Sequence, residues 1–207
     1  MDIIDAYMRV SAQAEALVQS IPDDKFNWAT PCSEWDVKAL CNHIYAGEII
    51  VSTRIQQAPL PDPKSREDRL GDDPKGKISA AFDELRGLLS KPNALDQIVI
   101  TSRDGVDYER ELEGLVSRRI ADLVVHNWDL RKALGLPTAD FDPELVAWTL
   151  RHFQDRFEGY ERTAPQILNS VAQERPTPEG ATDADRLAAF MGRDVDFTPR
   201  VFTGAGD

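Results

Sequence analysis

Apolar residues recur at three- and four-residue spacing along most of the chain, the period that turns one face of an α-helix toward a core. Ile3, Ile4, Tyr7, Met8, Val10, Ala14, Leu17 and Val18 predict an amphipathic helix over residues 3–19. A turn-rich stretch through Ile21, Pro22, Trp28 and Pro31 leads to Ser33, whose hydroxyl can cap free backbone amides. Glu34 and Asp36 suit the positive end of a second helix, expected from about residue 34. Val37, Leu40, Ile44, Gly47 and Val51 form its buried stripe, and His43 lies beside that stripe.

Residues 58–76 carry four prolines, two glycines and many charges without an apolar period, and read as a loop. Helical spacing resumes over 77–91 through Ile78, Ala81, Phe82, Leu85 and Leu88. The β-branched run from Gln97 to Thr101, then Arg103-Asp104-Gly105 before Val106 and Tyr108, predicts a two-stranded ribbon with a glycine turn. A long helix is expected from about Ser117 to Leu134, stopped by Gly135 with Pro137 beyond. Asp142 and Pro143 open another that runs to about Tyr160, residues 163–181 read as a loop, and Thr182 with Asp185 forms a capping box for a short last helix closed by Gly192. The pattern is a mainly α fold: a helical bundle with a short β-hairpin addition and extra C-terminal helices, in one domain spanning 1–207.

Composition narrows the function classes. With 24 Lys plus Arg against 36 Asp plus Glu, the formal net charge of −12 repels phosphate backbones and anionic lipid, so neither nucleic acid nor membrane is an expected partner. No apolar run reaches the roughly 18–20 residues of a membrane span, and Asp2 and Asp5 precede any basic residue. A cytoplasmic location is the expectation, with Cys32 and Cys41 as free thiols. No Gly-x-Gly-x-x-Gly, Walker loop or Gly-x-Ser-x-Gly elbow supports a nucleotide or α/β-hydrolase reading.

The three histidines are His43, His126 and His152. Asp122 and His126 stand four apart on a strongly helical segment, on one face, where they can bind an ion together or simply pair as a salt bridge. Antiparallel packing of the two helices could bring His43 to them. Asp129, three after His126, suits either an acceptor that orients a ligand or a hydrogen bond between helices. Trp35 and Trp128 read as core or as the mouth of a site, and Cys41 as a small buried hydrophobe. Cys32 reads as structural or as a thiol of lowered pKa near a helix start, and His152 as a surface residue.

Two segments carry a family resemblance. Thr30-Pro31-Cys32-Ser33-Glu34-Trp35-Asp36-Val37-Lys38-Ala39-Leu40-Cys41-Asn42-His43 looks like the helix-opening motif of the DinB-like, mycothiol-dependent maleylpyruvate isomerase metal-binding family. Asp122-Leu123-Val124-Val125-His126-Asn127-Trp128-Asp129-Leu130, with Ala133-Leu134-Gly135 following, is similar to its second signature, and Asp185 to Asp194 to the ending of single-domain members. The resemblance implies a DinB-like four-helix bundle and a divalent metal held by His43, Asp122 and His126. Zinc is the metal expected first, with nickel or iron as alternatives. Mycothiol is the implied thiol cofactor and a small molecule the substrate. The family's maleylpyruvate isomerases carry glutamate where this chain has the shorter Asp122, and a separate C-terminal domain for which the residues after 160 are too few. The expected activity is therefore a metal-dependent thiol transfer or isomerisation of a small electrophile, with a non-catalytic metal-binding or stress-related protein as the alternative on the same fold. Arg118 and Arg119 are the cations expected to offset the acidic field for an anionic ligand, and a homodimer stands as an alternative to the single chain.

Overall fold

Side-chain caps open the first and third helices in the computed structural model, which describes residues 1–59, 68–103, 106–157 and 173–204. The Asp2 side chain accepts the amide of Asp5 at 2.9 Å and opens α1 (Ile3–Gln19). α2 spans Val37–Ile55. Asp73 accepts the Gly76 amide at 2.9 Å and, with Pro74 in the first turn, opens α3 (Pro74–Leu89). Two strands follow, β1 (Ile98–Arg103) and β2 (Val106–Glu111), paired antiparallel with Ile100 opposite Glu109 and Thr101 opposite Tyr108. Three helices complete the described elements: α4 (Leu112–Leu134), α5 (Pro143–Phe157) and α6 (Asp183–Phe190). Among the described residues the fold is mainly helical with one small sheet, as the sequence pattern predicts.

The chain divides into two compact units, one of residues 1–20 with 38–123 and one of residues 21–37 with 124–207. In the first, α1 and α3 run antiparallel. Glu15 meets Arg86 at 2.6 Å, while Gln19 Nε2 donates to Ser79 Oγ at 2.9 Å. Tyr7, Val10, Ile44, Ile78, Phe82 and Ile120 are among its fully buried side chains. In the second unit, Trp28 and Val201 form an antiparallel bridge, Lys132 Nζ donates to Val195 O at 2.6 Å, and α5 packs on α6. Trp128 is 1% exposed and belongs to this core.

Element boundaries differ from the sequence expectation in three places. α2 starts at Val37 rather than 34. Thr30 Oγ1 accepts from the Cys32 amide and donates to Trp35 O at 2.9 Å, and Val37 N donates to Trp28 O, so residues 31–35 are held in a turn. α3 starts three residues before the expected 77 because of the Asp73 cap. α4 starts at Leu112, directly after β2, since Leu112 and Val116 extend the buried stripe past the charged Glu111 and Glu113. α5 is described to Phe157, and the expected turn residues Asp104 and Gly105 and the segment 158–172 lie outside the described residues. The Gly135 stop holds, with φ +73°, as does the capping box of Thr182 and Asp185.

Asp185 ties that cap to the core. Its Oδ1 accepts from Trp128 Nε1 at 2.8 Å and from Thr138 Oγ1 at 2.9 Å. Partial burial works to raise its carboxyl, but the Trp128, Thr182 and Thr138 donors outweigh it and hold the carboxyl below the ordinary value. A carboxyl lowered in the fold stabilises above its unfolded pKa, about 3.9, and that contribution is lost as pH falls below it. The urea midpoint of wild type should therefore drop from pH 6 to pH 3 by more than that of Asp185→Asn; equal drops in the two would contradict this.

Candidate functional site

Within the first unit, α2 and α4 meet through a buried charge network. Arg119 is 5% exposed and Glu48 fully buried. Arg119 Nε donates to Glu48 Oε1 at 2.8 Å, Nη2 donates to the Ile44 carbonyl at 2.8 Å, and Nη1 donates to Asp122 Oδ2. Tyr7 OH donates to the other oxygen of Glu48. The guanidinium lies against Gly47, where a Cβ would collide with it, so the glycine is needed for close approach rather than for turn geometry. Burial pushes the Tyr7 hydroxyl and the Glu48 carboxyl up. Burial also works to lower Arg119, but Glu48 and Asp122 raise it above its ordinary value and keep it charged.

Beyond Asp122 stands His43. Its Nε2 lies 3.4 Å from Asp122 Oδ2, and both side chains are about one-third exposed, at 35% and 29%. Two ligand atoms bonded to one tetrahedral zinc at ~2.0–2.2 Å stand roughly 3.3–3.5 Å apart, so this pair is already spaced as a metal would hold it. The donor set, one imidazole nitrogen and one carboxylate, is also chemistry that zinc accepts.

Within the second unit, His126 is 1% exposed and anchors a further cluster. Its Nδ1 is 2.9 Å from Asp129 Oδ2. Asp129 takes a forked pair from Arg193, Nε to Oδ1 at 3.0 Å and Nη2 to Oδ2 at 3.1 Å. The Cys32 thiol donates to Asp129 Oδ2 at 3.3 Å, and Arg193 Nη2 is 3.3 Å from its sulfur. The Trp35 ring lies beside that of His126, tilted by 47° with centroids 6.1 Å apart. Burial opposes ionisation of Asp129, yet Arg193 and His126 hold its carboxyl down to about 2. Burial, and then the Asp129 charge, push the Cys32 thiol up. Ligand atoms of Cys32, His126 and Asp129 lie within 4.8 Å of one another, a spacing that admits a metal, but Arg193 already supplies the positive charge there.

Several expectations are corrected by these contacts. Arg119 is 5% exposed, and its Nε, Nη1 and Nη2 each donate inside the protein, to Glu48, Asp122 and Ile44, whereas Arg118 is exposed. Cys32 gains no lowered pKa from a helix start, since α2 begins five residues later and burial dominates. His152 is half-buried and stacks on Trp148 at 5.4 Å instead of standing bare on the surface. Asp129 contacts His126 as an orienting acceptor would, and Cys41 is fully buried. Cys32 and Cys41 are both free thiols.

Residues 7–131 match the mycothiol maleylpyruvate isomerase N-terminal domain family. The chain belongs to this family. Its members are mycothiol-related, DinB-like, metal-binding domains, and the match takes in His43, Asp122, His126 and Asp129 while Arg193 lies beyond it. Two relatives of this family member are the uncharacterized proteins MT0763 and Rv0738 of Mycobacterium tuberculosis, strains CDC 1551 / Oshkosh and H37Rv. Each is 29% identical over 198 residues, 94% of this chain and 100% of the relative. No solved structure matches the chain. No helix among the described residues is long and apolar enough to cross a membrane.

Tyr7, Glu48 and Arg193 are the site residues that sequence reasoning missed. Glu48 had a signal: a lone charge four residues after Ile44 and three before Val51, inside an apolar stripe.

Proposed function

We propose that His43, Asp122 and His126 hold one divalent metal, and that the chain is a metal-dependent enzyme acting with a small thiol, mycothiol, in thiol transfer to or isomerisation of a small electrophile. The observation that carries the reading is the 3.4 Å separation of His43 Nε2 and Asp122 Oδ2. His126 follows Asp122 by one helical turn on α4, so helix geometry gives the two a common face. The family match supports the thiol. A bound divalent metal would supply Lewis acidity, favouring the thiolate of a coordinated thiol near neutral pH. The chain's own residues do the rest. Arg119 fixes the Asp122 carboxylate from one side, and the tilted Trp35 ring lies beside His126. His43, Asp122 and His126 would hold the metal with three protein ligands, which would leave room for water or a thiol to bind it.

Purified protein should carry roughly one divalent metal per chain, and His43→Ala and His126→Ala should each lose it. Elemental analysis reads the content, and calorimetry in two buffers of different ionisation enthalpy reads proton release as a thiol binds. Full metal content in both variants would sink the site. No metal-dependent binding of mycothiol up to millimolar concentration would sink the thiol reading and leave a non-catalytic metal protein.

A further inference from the structure

We propose that Asp129, held by Arg193, is a positioning residue that fixes the ring proton of His126 on Nδ1 and so reserves Nε2 for a metal. This rests on the reading of His126 as a metal ligand, but the device itself lies wholly among Cys32, His126, Asp129 and Arg193.

Asp129 is fully buried, and both of its oxygens take N–H bonds from the Arg193 fork, at 3.0 and 3.1 Å. A carboxylate so paired is an acceptor only. The Cys32 thiol donates to the same Oδ2 at 3.3 Å, and His126 Nδ1 lies 2.9 Å from it. An acceptor-only oxygen at that distance requires a proton on the nitrogen, so Nδ1 is the N–H and the lone pair of the neutral ring is left on Nε2. The reverse tautomer would set the Nδ1 lone pair against a carboxylate oxygen in a site that is almost entirely closed to water, His126 being 1% and Arg193 7% exposed. Arg193 is what makes the arrangement tolerable, because without it Asp129 would be a buried unpaired charge. A residue of the C-terminal segment therefore sets which nitrogen of a helix histidine can bind a metal, through Asp129 rather than by touching the metal.

Ring nitrogen shifts of His126, read by long-range proton–nitrogen correlation on metal-free wild type at alkaline pH, give the tautomer directly. The expected pattern is Nδ1–H with unprotonated Nε2, and an Nε2–H ring would overturn the proposal. Zinc competition with a chromophoric chelator supplies the second arm: Asp129→Asn should bind zinc ~10–100-fold more weakly than wild type. Unchanged affinity in that variant would also overturn it. If wild type binds no zinc, the metal reading fails while the tautomer measurement still decides this proposal. If Asp129→Asn does not fold, the wild-type spectrum decides alone.

Discussion

Arg119→Ala should lower the unfolding free energy by ~3–5 kcal/mol, the loss expected when one partner of a buried ion pair is removed. The size comes less from the missing guanidinium than from the carboxylate it leaves behind. Glu48 is fully buried and accepts from only Tyr7 and Arg119 among the hydrogen bonds described, so without the guanidinium it must either stay charged in an apolar surround or take up a proton. The Ile44 carbonyl loses its Arg119 donor at the same time. Urea unfolding measures the loss. The double variant Arg119→Met with Glu48→Leu should recover a large part of it, because replacing both charges with apolar groups removes the uncompensated one. A cost below ~1 kcal/mol for Arg119→Ala would show that water reaches Glu48.

Removing the proposed metal should be the next largest effect. A ligand bound only by the folded state and present at about a thousand times its dissociation constant stabilises by ~4 kcal/mol, which for a chain of this length is roughly 8–16 °C in melting temperature. Strong chelation of metal-loaded wild type should produce a fall of that order. The apo chain should still melt cooperatively, because the cores of both units are built from long apolar helix faces that do not depend on the ion. His43→Ala and His126→Ala should melt at the same temperature with and without chelator. An equal chelator shift in those variants would place the bound ion elsewhere.

The helices were legible because burying one face imposes a period that every turn repeats, as Leu40, Ile44 and Val51 do on α2. What escaped was set by single contacts. The turn that delays α2 depends on one threonine hydroxyl, Thr30, and the early start of α4 on its following a strand directly. The candidate ligands showed for a similar reason: Asp122 and His126 are one turn apart, and spacing of that kind survives in a linear sequence. Their supports did not. Tyr7 reaches Glu48 across 41 residues, Arg119 reaches Glu48 across 71, and Arg193 reaches Asp129 across 64, distances over which no periodic pattern operates. A charged residue with a distant buried partner looks, in sequence, like any other solvated charge.

The position of Arg193 has a practical side for anyone producing this domain recombinantly. Expression of residues 7–131 alone, the stretch the family match delimits, would retain His126 and Asp129 but release the latter's only described arginine. It would also strip Trp128 of the Asp185 acceptor and Trp28 of its Val201 bridge. Such a fragment keeps every candidate ligand yet exposes the Asp129 carboxylate and the Trp128 indole, both buried in the full chain, and its insolubility would say nothing against metal binding by the intact protein.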